Sequence, residues 1–201
     1  MHVETLRRKL AANVTARLNP LSLKLAHLGV TPNQITLTGL TMSCAAAVLI
    51  LQQRMPWAGV VFLFASSLDL LDGALARASN QVTHFGGLLD STLDRVSEGV
   101  VFAAIAYVFA NRSLEVMVAV TALAALTSML VSYVRARAEG MGISCNVGIV
   151  ARPERVLVLA IGLLLDALIA AVCLVFALSV VTLLQRLYRA AQAAPGKNLN
   201  V

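Results

Sequence analysis

Long stretches without charge alternate with short polar segments along most of the chain. Residues 33–53 carry no charged side chain and are long enough to cross a bilayer, which takes about 20 residues. Residues 55–68 are too few for a crossing, so their helix should continue through the acidic residues beyond them toward Arg77. A third segment starts near Gly86 and reaches about residue 109, and a fourth covers 116–134. The pattern predicts a series of membrane-spanning helices.

The last apolar region and the first thirty residues complete this prediction. Residues 152–189 would make a single helix of about 57 Å, nearly twice the thickness of the hydrocarbon core, so two spans that turn near Asp166 fit better. In residues 1–30, apolar side chains recur every three or four positions with cations between them, which is typical of an amphipathic helix on a membrane surface. Thr31 and Pro32 then supply a cap and a first helical residue for the first span.

The predicted architecture is therefore an all-α, polytopic membrane protein with six transmembrane helices and an N-terminal amphipathic interfacial helix. We expect residues 1–30 to form the juxtamembrane helix, residues 31–190 the six-helix catalytic domain, and residues 191–201 a polar C-terminal tail.

Composition supports a membrane protein and narrows its partners. Hydrophobic residues make up 59% of the chain and charged residues 13%, and the mean hydropathy is +0.82, which is too apolar for a soluble domain. A lipid-embedded barrel would instead show alternating polarity. The net charge is +6, and most Lys and Arg residues lie at one side of the six predicted spans. That side should therefore face the cytoplasm and anionic lipid, and no nucleic-acid partner is expected.

Four carboxylates near one membrane face are the main candidate for chemistry. Asp69 and Asp72 are three residues apart, and Asp90 and Asp94 are four apart, so each pair shares one face of its own helix. Acids inside a membrane are costly unless a partner or an ion neutralises them. An all-oxygen set of this kind favours Mg²⁺ or Mn²⁺, and two carboxylates from each helix are enough to hold two ions.

Small and basic side chains flank these acids. Gly73 and Ala76 lie on the same helical face as Asp69, which leaves room for a bulky ligand, although small residues also serve ordinary helix packing in membranes. Arg77 adds a cation suited to a phosphate group. Further arginines lie in the connection between the fourth and fifth predicted spans and at the end of the last span. They are on the same side as the aspartates and suit a phosphate monoester. Any one of them could equally be a simple interfacial anchor.

Intramembrane acids also occur in ion and proton transporters, which makes transport an alternative function of another class. Transporter sites commonly lie near the midplane between inverted repeats. This chain has no evident repeat, and its acids lie near one face. Enzymatic chemistry is therefore favoured over transport.

The spacing of these residues also resembles a known family signature. Asp69-x2-Asp72-Gly73-x2-Ala76-Arg77-x8-Gly86-x3-Asp90-x3-Asp94 matches the pattern of the CDP-alcohol phosphatidyltransferase family at all eight fixed positions. Other segments resemble the phosphatidylinositol-phosphate synthase branch of that family: 31–36, 132–139, 152–155 and 185–187.

The resemblance implies a six-helix membrane enzyme, usually a homodimer, that transfers a substituted phosphoryl group from a CDP-linked lipid to an alcohol and releases CMP. It implies metal ligation by the four aspartates, with Asp94 also the general base. Residues implied to bind the CDP-lipid are Asn33, Gln34, Ile35, Thr36, Gly73, Ala76, Arg77 and Thr83. Residues implied to bind the phosphate of the acceptor are Ser132, Arg135, Arg137, Arg155 and Arg186. Inositol phosphate is the favoured acceptor and glycerol phosphate the alternative, and the lipid chains could be acyl esters or archaeal ethers.

Overall fold

The computed structural model describes residues 20, 22–79 and 81–193, and in these ranges the regular secondary structure is entirely α-helical. Its long helices are α1 (Pro32–Leu51), α2 (Met55–Ala78), α3 (His84–Asn111), α4 (Glu115–Gly140), α5 (Arg152–Leu164) and α6 (Leu168–Ala193). Residues 22–27 are also helical. Most of the predicted amphipathic helix, and the end of the predicted tail, lie outside the described residues.

The helix boundaries follow local signals in the sequence. At the start of α1 the Thr31 hydroxyl accepts from the Gln34 amide, and the Gln34 side chain accepts from the Thr31 amide at 2.9 Å. Thr83 caps α3 in the same manner by accepting from the Gly86 amide at 2.9 Å. Between α5 and α6 the chain turns at residues 165–167, where Asp166 has a positive φ of 52°. The predicted turn near Asp166 is therefore confirmed.

The helices pack around a continuous apolar core. The helix pairs with the most extensive contact are α1 with α2 and with α3, and α4 with α6. Helix α5 bridges these two groups by packing on α2 and on α6. Large side chains that are completely or almost completely buried, such as Ile50, Phe62, Phe109 and Leu163, come from four different helices. The core thus holds both groups of helices together.

Glycines allow the close approach of α5 to its neighbours. A Cβ atom at Gly59 of α2 would lie 2.9 Å from the Ala160 carbonyl oxygen and 2.9 Å from a side-chain carbon of Leu164. A Cβ at Gly162 would overlap the Cβ of Ala171 on α6. These are the small-residue contacts by which helices pack tightly in membranes.

Four of the helices have the length and apolar composition needed to cross a membrane: α1, α2, α4 and α6. The remaining two differ for physical reasons. Helix α3 has 28 residues but carries Asp90, Asp94, Arg95 and Glu98 among its first fifteen, and α5 has only 13 residues. By length and composition, the described part of the chain thus has helices that can span a membrane.

Candidate active site

The four predicted aspartates meet where the end of α2 approaches the start of α3. The carboxylate of Asp72 lies close enough to those of Asp69 and Asp90 for electrostatic interaction, and Asp94 interacts with the same two. Asp72 is buried, and the Thr36 hydroxyl of α1 donates a hydrogen bond of 2.7 Å to its Oδ2. The two helix faces predicted from spacing alone therefore lie together, and α1 closes one side of the cluster.

An arginine lies among the acids. Arg152, the first residue of α5, donates through Nη1 to Oδ2 of Asp69, and the same nitrogen is 2.9 Å from Oδ1 of Asp94. All three side chains are less than a quarter exposed. Arg152 thus links α5 to both acidic helices and neutralises part of the charge of the cluster.

The acidic cluster fits a hard divalent cation by its donor chemistry. Its four carboxylates outnumber the two arginines that interact with them, Arg152 and Arg95, and oxygen donors are the ligands that Mg²⁺ and Mn²⁺ prefer. Oδ1 of Asp90 is buried and accepts no hydrogen bond from any described residue, so it is an oxygen in need of a partner. Within the described ranges no three His, Cys, Asp or Glu side chains converge tightly enough to enclose an ion, and Arg152 occupies the position between Asp69 and Asp94.

A cavity of about 300 Å³ opens on one side of the aspartates, between α1, α2 and α3, and we call it the donor cavity. Asp72 and Asp90 line it. Six of the eight residues predicted to bind the CDP-lipid also line it: Asn33, Thr36, Gly73, Ala76, Arg77 and Thr83. The Arg77 guanidinium reaches back over its own helix, to 3.5 Å from where a Cβ of Gly73 would lie. A larger residue at position 73 would therefore compete with this arginine for space.

The other two predicted lipid-binding residues lie outside the lining of that cavity. Gln34 uses its side chain to cap the start of α1. Ile35 is only 6% exposed and belongs to the apolar interior. Both positions help to set where Asn33 and Thr36 lie, and their contact with lipid stays a prediction.

A second cavity of about 390 Å³ opens on the other side, between α3, α4, α5 and α6, and we call it the acceptor cavity. Asp94 lines it, together with four of the five residues predicted to bind the acceptor phosphate: Ser132, Arg135, Arg155 and Arg186. Its lining has five arginines and two acids, so it is electropositive and suited to an anion. Arg137 is exposed near the end of α4 and does not line this cavity.

The arginines of the acceptor cavity differ in how they are held. Arg155 makes a two-point ion pair with Glu98 of α3, and Arg186 donates to the backbone carbonyls of Val131 and Val147. Arg135 is half exposed and pairs at 2.9 Å with Glu139, one turn further along α4. Two of the three guanidinium groups are thus fixed by buried partners, and the third lies at the rim.

Two residues at this site, Arg152 and Glu98, are not among the site residues that the sequence predicts. A signal for Glu98 existed, because it continues the four-residue spacing of Asp90 and Asp94 along one face of α3. The position of Arg152 depends on the packing of α5 against α2, which spacing within one helix does not reveal.

Comparison with known proteins agrees with this arrangement. The family model described as CDP-alcohol phosphatidyltransferase matches residues 29–187. Archaetidylinositol phosphate synthase from Pyrococcus horikoshii is 40% identical over 184 residues, which is 90% of this chain and 95% of the relative. These matches cover both cavities and the aspartates between them.

Solved structures show the same similarity. A crystal structure of Mycobacterium tuberculosis phosphatidylinositol phosphate synthase with CDP-DAG bound has a TM-score of 0.83 at 31% identity, covering 92% of this chain and 98% of that one. A second structure of that enzyme, in complex with manganese and citrate, has a TM-score of 0.82 at 31% identity, covering 92% of this chain and 93% of that one. The chain belongs to the CDP-alcohol phosphatidyltransferase family and is an enzyme of that family.

Proposed function

We propose that this enzyme transfers a phosphatidyl-type group from a CDP-linked lipid to inositol phosphate and releases CMP. A hydroxyl oxygen of the acceptor forms a bond to the lipid-bearing phosphorus, and the bond from that phosphorus to the oxygen of CMP breaks. The observation that carries this proposal is the position of the aspartates between two cavities. One cavity is lined by residues of the family signature, and the other is rich in arginine. Family membership excludes the transporter alternative as the primary function.

The donor cavity fits a CDP-linked lipid. It lies between membrane-length helices, so lipid chains can stay in the bilayer while the polar group enters among the small residues of α2 and α3. Arg77 at its edge supplies a charge for a phosphate group. The M. tuberculosis enzyme of similar structure binds CDP-DAG, which supports this assignment.

On the opposite side, the acceptor cavity supplies the charge for a phosphorylated alcohol and the base for its hydroxyl. Asp94 lines this cavity, whereas Asp72 and Asp90 line the donor cavity. Asp94 is thus the carboxylate best placed to take the hydroxyl proton as the acceptor oxygen approaches phosphorus. Arg155, Arg186 and Ser132 would hold the acceptor's phosphate.

Asp69, Asp72, Asp90 and Asp94 would hold the divalent cations, two in number as the signature implies. When bound, the cations supply charge stabilisation for the phosphoryl group in transfer. The protein's own part is to hold the four carboxylates together: Thr36 orients Asp72, and Arg152 holds Asp69 and Asp94 within reach of one nitrogen. The solved structure of a similar enzyme in complex with manganese supports this role.

We propose further that all six long helices cross the membrane, as the predicted domain of residues 31–190 requires, and that the aspartates face the cytoplasm. At 28 residues α3 extends about 42 Å, enough to cross. The turns at Arg54 and Arg112 lie together, since Arg112 donates to Gln53 at 3.3 Å, whereas the other arginines of the described ranges lie toward the opposite end. This asymmetry favours the arginine-rich end as cytoplasmic.

Helix α5 is too short to cross alone, at about 20 Å, so the extended residues before it must complete its path. Non-helical backbone at membrane depth needs internal hydrogen-bond partners. Three successive amides have them: those of Ile149, Val150 and Ala151 donate to the side chains of Gln185, Thr182 and Glu154. This loop can therefore lie within the membrane beside α6. A homodimer, which the family resemblance implies, completes the proposed arrangement.

One assay identifies both the acceptor and the CDP-lipid that the enzyme uses. Purified enzyme is given CDP-diacylglycerol or CDP-archaeol, Mg²⁺ or Mn²⁺, and inositol phosphate, glycerol phosphate or unphosphorylated inositol in turn, and CMP release is followed. The proposal expects release with inositol phosphate and far less with the other two. Release of CMP with glycerol phosphate instead would identify glycerol phosphate as the acceptor and leave the assignment of the donor cavity unchanged. Release with free inositol would contradict the phosphate-binding role of the arginines.

A further inference from the structure

The ion pair between Glu98 and Arg155 is among the most deeply buried polar contacts of the described residues. Arg155 is 1% exposed and Glu98 is 5% exposed. Nε of Arg155 donates to Oε1 of Glu98 at 2.8 Å, and Nη2 donates to Oε2 at 3.0 Å. Two parallel bonds of this kind fix the plane of a guanidinium as well as its position.

This pair connects the acceptor cavity to the helix of the aspartates. Arg155 lines the cavity, and Glu98 lies one helical turn beyond Asp94 on the same face of α3. The carboxylate engages Nε and Nη2, so Nη1 is the nitrogen that remains for an anion in the cavity. The orientation imposed by Glu98 therefore decides where the free edge of Arg155 points.

A second ion pair, between the same two helices, lies next to it. Arg152 and Arg155 are three residues apart at the start of α5, and Asp94 and Glu98 are four apart on α3. Arg152 pairs with Asp94, and Arg155 pairs with Glu98. The two pairs set the start of α5 in register with α3, so the phosphate-binding arginine and the base have fixed relative positions.

We propose that Glu98 is a positioning residue for acceptor binding, which acts by holding Arg155 in the orientation that receives the phosphate of the acceptor. The inference rests on the proposed function. Glu98 does not line the acceptor cavity, so its effect passes through Arg155. A buried ion pair is expensive to desolvate, and apolar residues of similar volume would often stabilise the fold as well. We therefore attribute these charges to the orientation of the Arg155 guanidinium.

The test compares Glu98→Gln with Ser97→Ala in the purified, detergent-solubilised enzyme. Gln keeps the shape of Glu and one oxygen that accepts a hydrogen bond, but it loses the charge and the two-point geometry. Ser97 is the preceding residue on α3 and is equally buried at 5%. Glu98→Gln should raise the KM for inositol phosphate by about tenfold or more, as expected when a charge-assisted bond is lost, and should leave the KM for the CDP-lipid within about twofold. Ser97→Ala should change neither KM.

A double-variant comparison separates positioning from general destabilisation. Adding Glu98→Gln to Arg155→Ala should raise the KM for inositol phosphate by less than about twofold further, because the residue through which Glu98 acts is already gone. Additive effects, or equal changes in both KM values for Glu98→Gln alone, would overturn the proposal. If Glu98→Gln yields no monodisperse protein, Glu98→Asp replaces it with the same expectation, since the shorter side chain keeps the charge but draws the guanidinium away.

The outcomes also separate this proposal from the function on which it rests. If Arg155→Ala raises the KM for inositol phosphate and Glu98→Gln does not, the positioning role is wrong and the proposed function stands. If wild-type enzyme releases no CMP with any phosphorylated acceptor, the proposed function is wrong and the role of Glu98 falls with it.

Discussion

The hydrogen bond from Thr36 to Asp72 offers a sharp test of the cation site. Replacing Thr36 by Val keeps the shape of the side chain and removes the hydroxyl that lies 2.7 Å from Oδ2 of Asp72. Thr36 is 5% exposed and Asp72 is 3% exposed, so this bond is largely shielded from solvent. The substitution removes this contact between α1 and the acidic cluster, together with a 3.1 Å hydrogen bond from the same hydroxyl to the backbone carbonyl of Pro32.

Two magnitudes follow from this geometry. A hydrogen bond to a charged group contributes about 1.5–3 kcal/mol, so Thr36→Val should lower the free energy of unfolding by an amount in that range. Loss of a side chain that orients a metal ligand typically weakens metal binding by about 10–100-fold. We expect the apparent Mn²⁺ affinity, measured by titration of CMP release and by electron paramagnetic resonance of free Mn²⁺, to fall by at least about tenfold.

Thr38→Val is the matched control. Thr38 lies on the same helix, but its hydroxyl is exposed and donates to the backbone carbonyl of Gln34 at 2.8 Å. The same substitution there should leave the Mn²⁺ affinity within about twofold of wild type. Equal Mn²⁺ affinities for Thr36→Val and Thr38→Val would refute the claim that Thr36 orients a cation ligand.

Three further predictions concern the cations, the base and the acceptor. Excess chelator should abolish CMP release, and Mn²⁺ or Mg²⁺ should restore it; undiminished turnover in chelator would contradict the cation role of the aspartates. Asp94→Asn should reduce turnover by at least about a hundredfold while CDP-lipid binding persists, because Asp94 lines the acceptor cavity. Single-turnover kinetics with a parallel measurement of CDP-lipid binding test this, and normal turnover would show that Asp94 is not the base. Arg186→Ala should raise the KM for inositol phosphate by about tenfold or more and leave that for the CDP-lipid nearly unchanged, whereas an interfacial anchor would move both KM values little and together.

Local patterns predicted the helices well because each signal lies within a few residues of the boundary that it sets. Thr31 and Pro32 start α1, and the excess length of 152–189 correctly indicated a turn near Asp166. The meeting of the two aspartate pairs was also predictable, because a short connection joins α2 to α3. Spacing within a helix and a short connection were enough for the acidic cluster.

Contacts between distant segments were not predictable from the same patterns. The pairing of Arg152 with Asp69 joins residues 83 positions apart, and that of Arg155 with Glu98 joins residues 57 apart. Both depend on how α5 packs among α2, α3 and α6. Hydropathy identifies only four of the six long helices as candidate crossings, because α3 carries charged residues within its length and α5 is short. Charged residues therefore lower the hydropathy of α3, whereas α5 is missed because of its length.

The identity of the lipid product decides whether inositol phosphate is the acceptor. Purified enzyme with CDP-lipid, inositol phosphate and Mn²⁺ is sampled over time, and the lipids are identified by mass spectrometry while CMP is quantified. We expect one new lipid that contains the phosphatidyl group joined to inositol phosphate, formed in equal amount to CMP and absent when the acceptor is omitted. CMP formed together with free phosphatidic acid, or a product formed only from glycerol phosphate, would contradict this expectation.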